Sequence, residues 1–385
     1  METGDAANGP MLCTATSGYL GSVLAVQANY YWVQLDGGAD FPLAGSGVTL
    51  PSPLALSASP DSPVAPLPLL LCTRRAKLKK LGQRVSVGDR VLVEEPDWVG
   101  RRGAIAAVLP RRNFLERPPI ANVDQVILVF ALKEPDLDSQ QLTRFLVQIE
   151  HSGLVLRLVF SKSDLVSLAE RQAWCDRLRQ WGYMAHCLSA QTGEGIAALL
   201  AELQGYTSVL AGPSGVGKSS LINRLIPTAD LRVGAVSGKL ARGRHTTRHV
   251  ELLPLPQGGF LADTPGFNQP DLTCFPNELA ACFPEIRQRL QTGACQFTDC
   301  LHNEEPNCVV RGDWERYEHY RVLLAEAIAY EAQFNQQATP DPQLKRRMGQ
   351  SGQAYYEPRL ARKKYRRPSR RTEQQAIETL YQDLD

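Results

Sequence analysis

No apolar run in this 385-residue chain approaches the ~20 residues needed to cross a bilayer, so no membrane helix is expected. The first residues, Met1-Glu2-Thr3-Gly4-Asp5, lack a basic start leading into an apolar stretch, and no secretory signal is read there. The expected location is therefore the cytoplasm. An excess of one charge is also lacking. Lys and Arg number 42 against 40 Asp and Glu, a net charge of +2, so any polyanion must be met by local patches. The nine cysteines are odd in number and unevenly spread, which argues against a disulfide framework. In a reducing compartment they are thiols or metal ligands. Core-forming residues are plentiful: a hydrophobic fraction of 43% over this length supports two or three domains.

Against that background one stretch stands out. Gly212-Pro213-Ser214-Gly215-Val216-Gly217-Lys218-Ser219-Ser220 fits G-x-x-x-x-G-K-[ST], the phosphate-binding loop. An apolar strand is predicted over Thr207–Ala211 and a helix from Ser220, the context this motif needs. Glycines let backbone N–H groups converge on an anion, and the helix N-terminus adds partial positive charge. Lys218 would reach the β/γ-phosphates and the Ser219 hydroxyl a Mg²⁺ ion.

Upstream, strands are predicted at 16–26, 30–35, 88–93 and 103–108, a spacing that indicates a small barrel or sandwich. Residues 51–68 are rich in Pro, Ser and Ala and read as an insertion. The run Arg74, Arg75, Lys77, Lys79, Lys80, Arg84 contains no acid; a nucleic-acid face and a solvated charge run are both consistent with it. From residue 113 strands and helices alternate, which predicts a parallel α/β sheet with ligand groups at strand C-termini. Three of those ends carry polar signatures. Ser161-Lys162-Ser163-Asp164 is similar to N-K-x-D, whose carboxylate accepts from guanine N1–H and N2–H₂; adenine lacks that donor pair. Ser189-Ala190 fits the companion loop, whose backbone N–H approaches guanine O6. Asp263, with Gly266 three residues on, has the D-x-x-G form that holds Mg²⁺ and senses the γ-phosphate.

The guanine motifs precede the phosphate loop, the reverse of most GTPases. That is a circular permutation, which a compact domain tolerates when its ends lie close together. A permuted G domain behind a small barrel resembles the small ribosomal subunit biogenesis GTPase family, RsgA (YjeQ), from Met11 to about Tyr330. The resemblance includes Gly243-Arg244-His245-Thr246-Thr247, similar to the family's switch I segment. It implies Thr247 as a Mg²⁺ and γ-phosphate sensor and His245 as the group that orients the attacking water. It also implies an OB-fold barrel and a GTPase that binds the small ribosomal subunit and its 16S rRNA, aids late maturation and leaves on hydrolysis, acting as a monomer away from membranes. Two departures are notable. Phe267 stands where Ras-like enzymes place a glutamine, so slow intrinsic hydrolysis is expected. Ser161 replaces the usual Asn, and weaker nucleotide affinity is expected from it.

Cys295, Cys300, His302 and Cys308 form C-x4-C-x-H-x5-C, a closed four-ligand set suited to structural Zn²⁺; the family's zinc module has this spacing. The remaining cysteines are read as buried thiols. A helix predicted over 314–334 carries Tyr317, Tyr320, Leu323, Leu324, Ile328 and Tyr330 as a packing face. Over 340–371, eleven Lys or Arg face two acids, with Tyr355, Tyr356 and Tyr365 interleaved. This reads as an RNA-contacting tail, disordered until bound, or as a solubilising one.

The expected fold is thus α/β: a circularly permuted phosphate-loop GTPase domain (113–278) between an OB-fold barrel (11–112, after a loose tail at 1–10) and a zinc-binding module (279–335), followed by a basic tail (336–385). The competing reading is a zinc-containing rRNA-binding module whose G domain senses nucleotide without catalysis.

Overall fold

The computed structural model describes residues 18–37, 68–116, 118–229, 250–263, 272–337, 344–348 and 354–358. The chain divides into two units, Met1–Ala325 and Glu326–Asp385.

Five strands form the first part of the larger unit: β1 (Tyr19–Gln27), β2 (Tyr30–Leu35), β3 (Leu69–Arg74), β4 (Arg90–Asp97) and β5 (Arg102–Val108), with the short helix α1 (Ala76–Lys80) after β3. Their pairing closes on itself. β1 pairs antiparallel with both β2 and β4, β2 with β3, and β4 with β5, while β3 and β5 run parallel. This is a five-stranded barrel of the OB type. Alternate residues point inward: Val23, Val33, Leu35, Leu70, Cys72, Val91, Val93 and Ile105 share one core. Strand β3 and helix α1 go beyond the four strands predicted here. Helix α1 takes up part of the basic run, burying Leu78 and leaving Lys77, Lys79 and Lys80 exposed.

A short hairpin, β6 (Phe114–Glu116) and β7 (Pro119–Ala121), leads out of the barrel. Gly88 is packed against it so closely that a Cβ would stand 2.1 Å from the Ala121 carbonyl, at φ +81°. Only glycine serves there.

The α/β part follows as β8 (Gln125–Ala131), α2 (Ser139–Ser152), β9 (Val155–Ser161), α3 (Leu168–Gln180), β10 (Ala185–Cys187), α4 (Ile196–Leu203), β11 (Thr207–Ala211), α5 (Lys218–Leu225), β12 (Glu251–Pro254) and β13 (Phe260–Asp263). The sheet order is β10-β9-β8-β11-β13-β12, parallel except for β12. β12 also pairs with β1 at Ala25 and Glu251, which joins sheet and barrel through hydrogen bonds.

Strand β8 shows why its sequence after Gln125, Val-Ile-Leu-Val-Phe-Ala, is continuously apolar. Both of its faces are covered. Val126, Leu128 and Phe130 face α2 and α3, packing with Leu142, Phe145, Leu146, Leu178 and Trp181. Ile127, Val129 and Ala131 face α4 and α5, packing with Leu199, Leu203, Leu221, Ile222 and Leu225. Each such side chain contributes about 1.5–3 kcal/mol on burial. Helix α2 is bounded as its sequence requires: Asp138 accepts from Gln140 N at 2.8 Å, and Gly153 ends it at φ +69°.

Beyond the sheet come α6 (Pro276–Leu279), α7 (Pro284–Thr292), the cysteine-rich loop and α8 (Tyr317–Gln337). In α8 the predicted packing face holds at Tyr320, Leu323 and Leu324, which are buried, and fails at Ile328, which is exposed. Within 336–385, β14 (Leu344–Met348) and β15 (Ala354–Pro358) pair antiparallel, an element the basic composition did not suggest. The insertion (up to residue 67), the tail at 1–10 and the remaining basic tail lie outside the described residues. Among the described residues no helix is long and apolar enough to cross a membrane.

Candidate nucleotide site and metal centre

Parallel strands place all their C-terminal ends on one edge, and the predicted motifs sit on that edge. The phosphate loop joins central strand β11 to α5. Its glycines adopt φ of +135° at Gly212, +84° at Gly215 and +91° at Gly217. A Cβ on Gly212 would stand 2.1 Å from the Val129 carbonyl on neighbouring β8, so this position admits no side chain. Lys218 Nζ donates to the carbonyls of Gly212 (2.8 Å) and Pro213 (2.7 Å), which holds the ammonium over its own loop. Ser219 is exposed and Ser220 half-buried in the first turn of α5. The orphan N–H groups of that turn face the loop. Pro213 and Val216 are buried, and Ser214 is exposed at the loop's crest.

Ser161 ends β9, two strands away, and is buried. Its hydroxyl reaches the Val216 carbonyl of the phosphate loop at 2.5 Å and the Phe130 carbonyl at 3.3 Å. The serine therefore makes the bracing contact to the phosphate loop expected of an asparagine here, with one proton to share between two acceptors. Lys162 has left-handed backbone at φ +54°; its stem passes within 4.0 Å of a Cβ position on Gly217, and its ammonium donates to the Glu134 carbonyl. Asp164 is half-buried and has no hydrogen-bond or ion-pair partner among the described residues.

Strand β10 brings Ser189 and Ala190 to the same edge. Ser163 N donates to the Leu188 carbonyl at 3.2 Å, and Ser189 Oγ accepts from Thr192 N at 3.1 Å. Sequence reasoning missed Glu194. Its carboxylate accepts from Arg171 of α3 at 2.9 Å and from Ser163 Oγ at 3.4 Å, while its carbonyl accepts from Ser189 N at 3.1 Å. The available signal was Gly193-Glu194-Gly195, a carboxylate between two glycines with φ of +85° and +76°.

Asp263 ends β13, parallel to β11 and adjacent to it, so its backbone lies at the same edge. Gly266, His245 and Thr247 lie outside the described residues. Cys175 and Cys187, read as buried thiols, are only half-buried and stand 3.8 Å apart.

The second centre is the cysteine cluster. The donor atoms of Cys295, Cys300, His302 and Cys308 all lie within 4.8 Å of one another. His302 Nδ1 is 3.6 Å from the Cys295 sulfur and 3.4 Å from those of Cys300 and Cys308, and the Cys295 and Cys308 sulfurs are 3.8 Å apart. Tetrahedral zinc with ordinary bond lengths sets such edges at roughly 3.6 Å for S···N and 3.8 Å for S···S, so the residues fit that ion. The loop is pinned from outside. Tyr320 donates to the Leu301 carbonyl at 2.6 Å, Tyr317 to the carbonyls of His302 and Asn303, and Glu305 accepts from Leu301 N and Asn303 N. Burial holds the His302 imidazole below its ordinary range, in the neutral form a metal needs.

Nearby, Arg316 is fully buried. It pairs with Glu285 at 2.7 Å and 2.5 Å and lies against the rings of Trp181, Tyr183 and Phe283 at 4.8–5.4 Å. The segment from Glu315 to His319 fastens the cysteine-rich part to the C-terminal end of α3 and to α2: Glu315 accepts from Trp181 Nε1 at 2.7 Å, and His319 Nδ1 meets Thr143 Oγ at 3.0 Å.

Known proteins resemble this chain over most of its length. The profile of the RsgA GTPase family matches residues 108–273. The small ribosomal subunit biogenesis GTPase RsgA of Trichormus variabilis is 57% identical over 371 residues, spanning 96% of this chain and 98% of that protein. A mitochondrial RsgA of Arabidopsis thaliana is 45% identical, covering 82% and 78%. Among solved structures, YjeQ from Thermotoga maritima superposes with a TM-score of 0.63 at 30% identity, covering 81% of this chain and 99% of that one. YloQ, described as a circularly permuted GTPase, gives 0.62 at 28%, covering 82% and 97%. With its phosphate loop and guanine-type loops gathered on one sheet edge in permuted order, this chain belongs to the RsgA family of GTPases and is a GTP-hydrolysing enzyme.

Proposed function

We propose that the enzyme hydrolyses GTP to GDP and phosphate on the small ribosomal subunit, assists its late maturation, and leaves the particle on hydrolysis. The supporting observation is the convergence of the Gly212–Ser220 loop, Ser161–Asp164, Ser189-Ala190 and the end of β13 at one edge of a parallel sheet. The names of the relatives supply the ribosomal partner.

In this reading Asp164 accepts from guanine N1–H and N2–H₂, and the Ala190 N–H approaches O6. The Lys162 stem lies along the base. Backbone N–H groups of Gly212 to Ser220, with Pro213, Ser214, Gly215, Val216 and Gly217 shaping the loop, cradle the phosphates. Lys218 moves from its loop carbonyls to the β/γ-phosphates. Ser219, Thr247 and Asp263 would hold Mg²⁺, which would supply positive charge to the phosphates when bound. Gly266 reads the γ-phosphate through its N–H, and His245 orients the water that Phe267 cannot. Zinc is structural, one ion per chain. The protein works as a cytoplasmic monomer, away from membranes, and its barrel, metal module and basic tail contact 16S rRNA.

The test is GTP turnover by the full chain with and without small subunits. Stimulation by the subunit, lost in Lys218→Ala and reduced by about 10²-fold or more in His245→Ala, is the expected result. Equal turnover with and without subunits, or equal competition by ATP, overturns the reading.

A further inference from the structure

Glu194 is not part of any nucleotide motif, yet it touches both guanine-type loops at once. Its backbone carbonyl takes the Ser189 N–H at 3.1 Å, and Gly193 N returns a bond to the Ser189 carbonyl at 2.9 Å. Its carboxylate reaches across 31 residues to Ser163 Oγ at 3.4 Å. Arg171, one turn into α3, holds that carboxylate by both oxygens, at 2.9 Å and 3.1 Å. Ser163 itself is fully buried and sits between Lys162 and Asp164. The backbone is built for this reach. Gly193 and Gly195 both take left-handed conformations, and a Cβ on Gly195 would stand 2.6 Å from the Cys187 carbonyl. The Glu194 side chain is 50% exposed, and an ion pair so exposed contributes little stability. The arrangement is better explained by position than by fold energy.

We infer that Glu194, neutralised by Arg171, is a positioning residue for guanine selectivity. It clamps the Ser161–Asp164 loop to the Ser189-Ala190 loop so that the Asp164 carboxylate and the Ala190 N–H meet the adjacent N1–H/N2–H₂ and O6 groups of one base. The inference rests on the guanine reading above and adds the residues that set its precision. The base contacts are directional hydrogen bonds, and a loop free to shift by an ångström loses them without unfolding.

The test compares GDP with IDP, whose hypoxanthine lacks the N2 amino group that Asp164 accepts. Wild-type protein prefers GDP. Glu194→Ala weakens GDP binding by about tenfold and shrinks the GDP-over-IDP preference by a similar factor, the scale of one mispositioned hydrogen bond. Its nucleotide-free melting temperature stays close to wild type. Glu194→Gln, which keeps an acceptor for Ser163, restores most of the preference. Arg171→Ala lowers it in the same direction. An unchanged GDP-over-IDP ratio in both Glu194→Ala and Arg171→Ala overturns the clamp, even if GDP binding falls. A wild-type protein with no preference for guanine over adenine overturns the underlying reading instead.

Discussion

Ser161 Oγ stands 2.5 Å from the carbonyl of Val216, so a residue at the end of β9 supports the phosphate loop 55 positions later in the chain. The contact is buried. In Ser161→Ala the Val216 carbonyl loses its donor, which costs about 1–2 kcal/mol. GDP affinity should fall roughly tenfold, read by calorimetric titration. Affinity equal to wild type would mean the loop holds its shape without the brace.

The metal centre should hold one zinc ion that survives dialysis. Cys300→Ser removes one of four ligands, and metal content should fall well below one equivalent per chain. Chelation of wild type should lower the melting temperature, because the loop pinned by Tyr317 and Tyr320 loses its internal support. Full metal retention by Cys300→Ser would remove that thiol from the ligand set.

Arg316 and Glu285 form a buried ion pair, and losing one partner strands the other charge. Arg316→Met should destabilise by about 3–5 kcal/mol in urea unfolding. Arg316→Met combined with Glu285→Leu should recover part of the loss, since apolar residues replace both charges among Trp181, Tyr183 and Phe283. Additive losses in the double variant would exclude the pairing as the source.

His319 reports on pH. Burial, and then Arg316 nearby, hold its imidazole below the ordinary range. The folded state thus binds fewer protons than the unfolded one below the unfolded pKa of about 6.5. Stability from this site is complete above that value and is lost as pH falls through it toward the folded pKa. His319→Gln should flatten the stability decline below about pH 6.5 relative to wild type, followed by denaturant midpoints. An identical slope in both proteins would assign the decline to other groups.

Much of the site was legible in the sequence where its geometry is local. The Thr207–Ala211 strand and the phosphate loop match the prediction because glycine spacing, an apolar run and a helix start are all encoded within a few residues. The cluster of Cys295, Cys300, His302 and Cys308 was likewise legible, within a stretch of fourteen residues. Strand β12 was not. It is four residues long and exists because β13 on one side and Ala25 of the barrel on the other offer it hydrogen bonds. Helix α4 and strand β3 were missed for a related reason: short apolar runs carry no period that tells strand from helix.

By itself the sequence determined which residue types stand at each loop (the glycines and lysine of the Gly212–Ser220 loop, the carboxylate of Asp164, the Cys295–Cys308 cluster) and the permuted order in which they occur. The tertiary structure decided which of those groups meet. Ser161 and Val216, Ser163 and Glu194, and Arg316 and Glu285 are separated by 55, 31 and 31 residues. No local propensity connects such pairs. The first two pairs meet because parallel pairing of β10, β9, β8, β11 and β13 aligns the strands' C-terminal ends, and burial of both sheet faces fixes that register. Arg316 meets Glu285 of α7 where its guanidinium packs among Trp181, Tyr183 and Phe283.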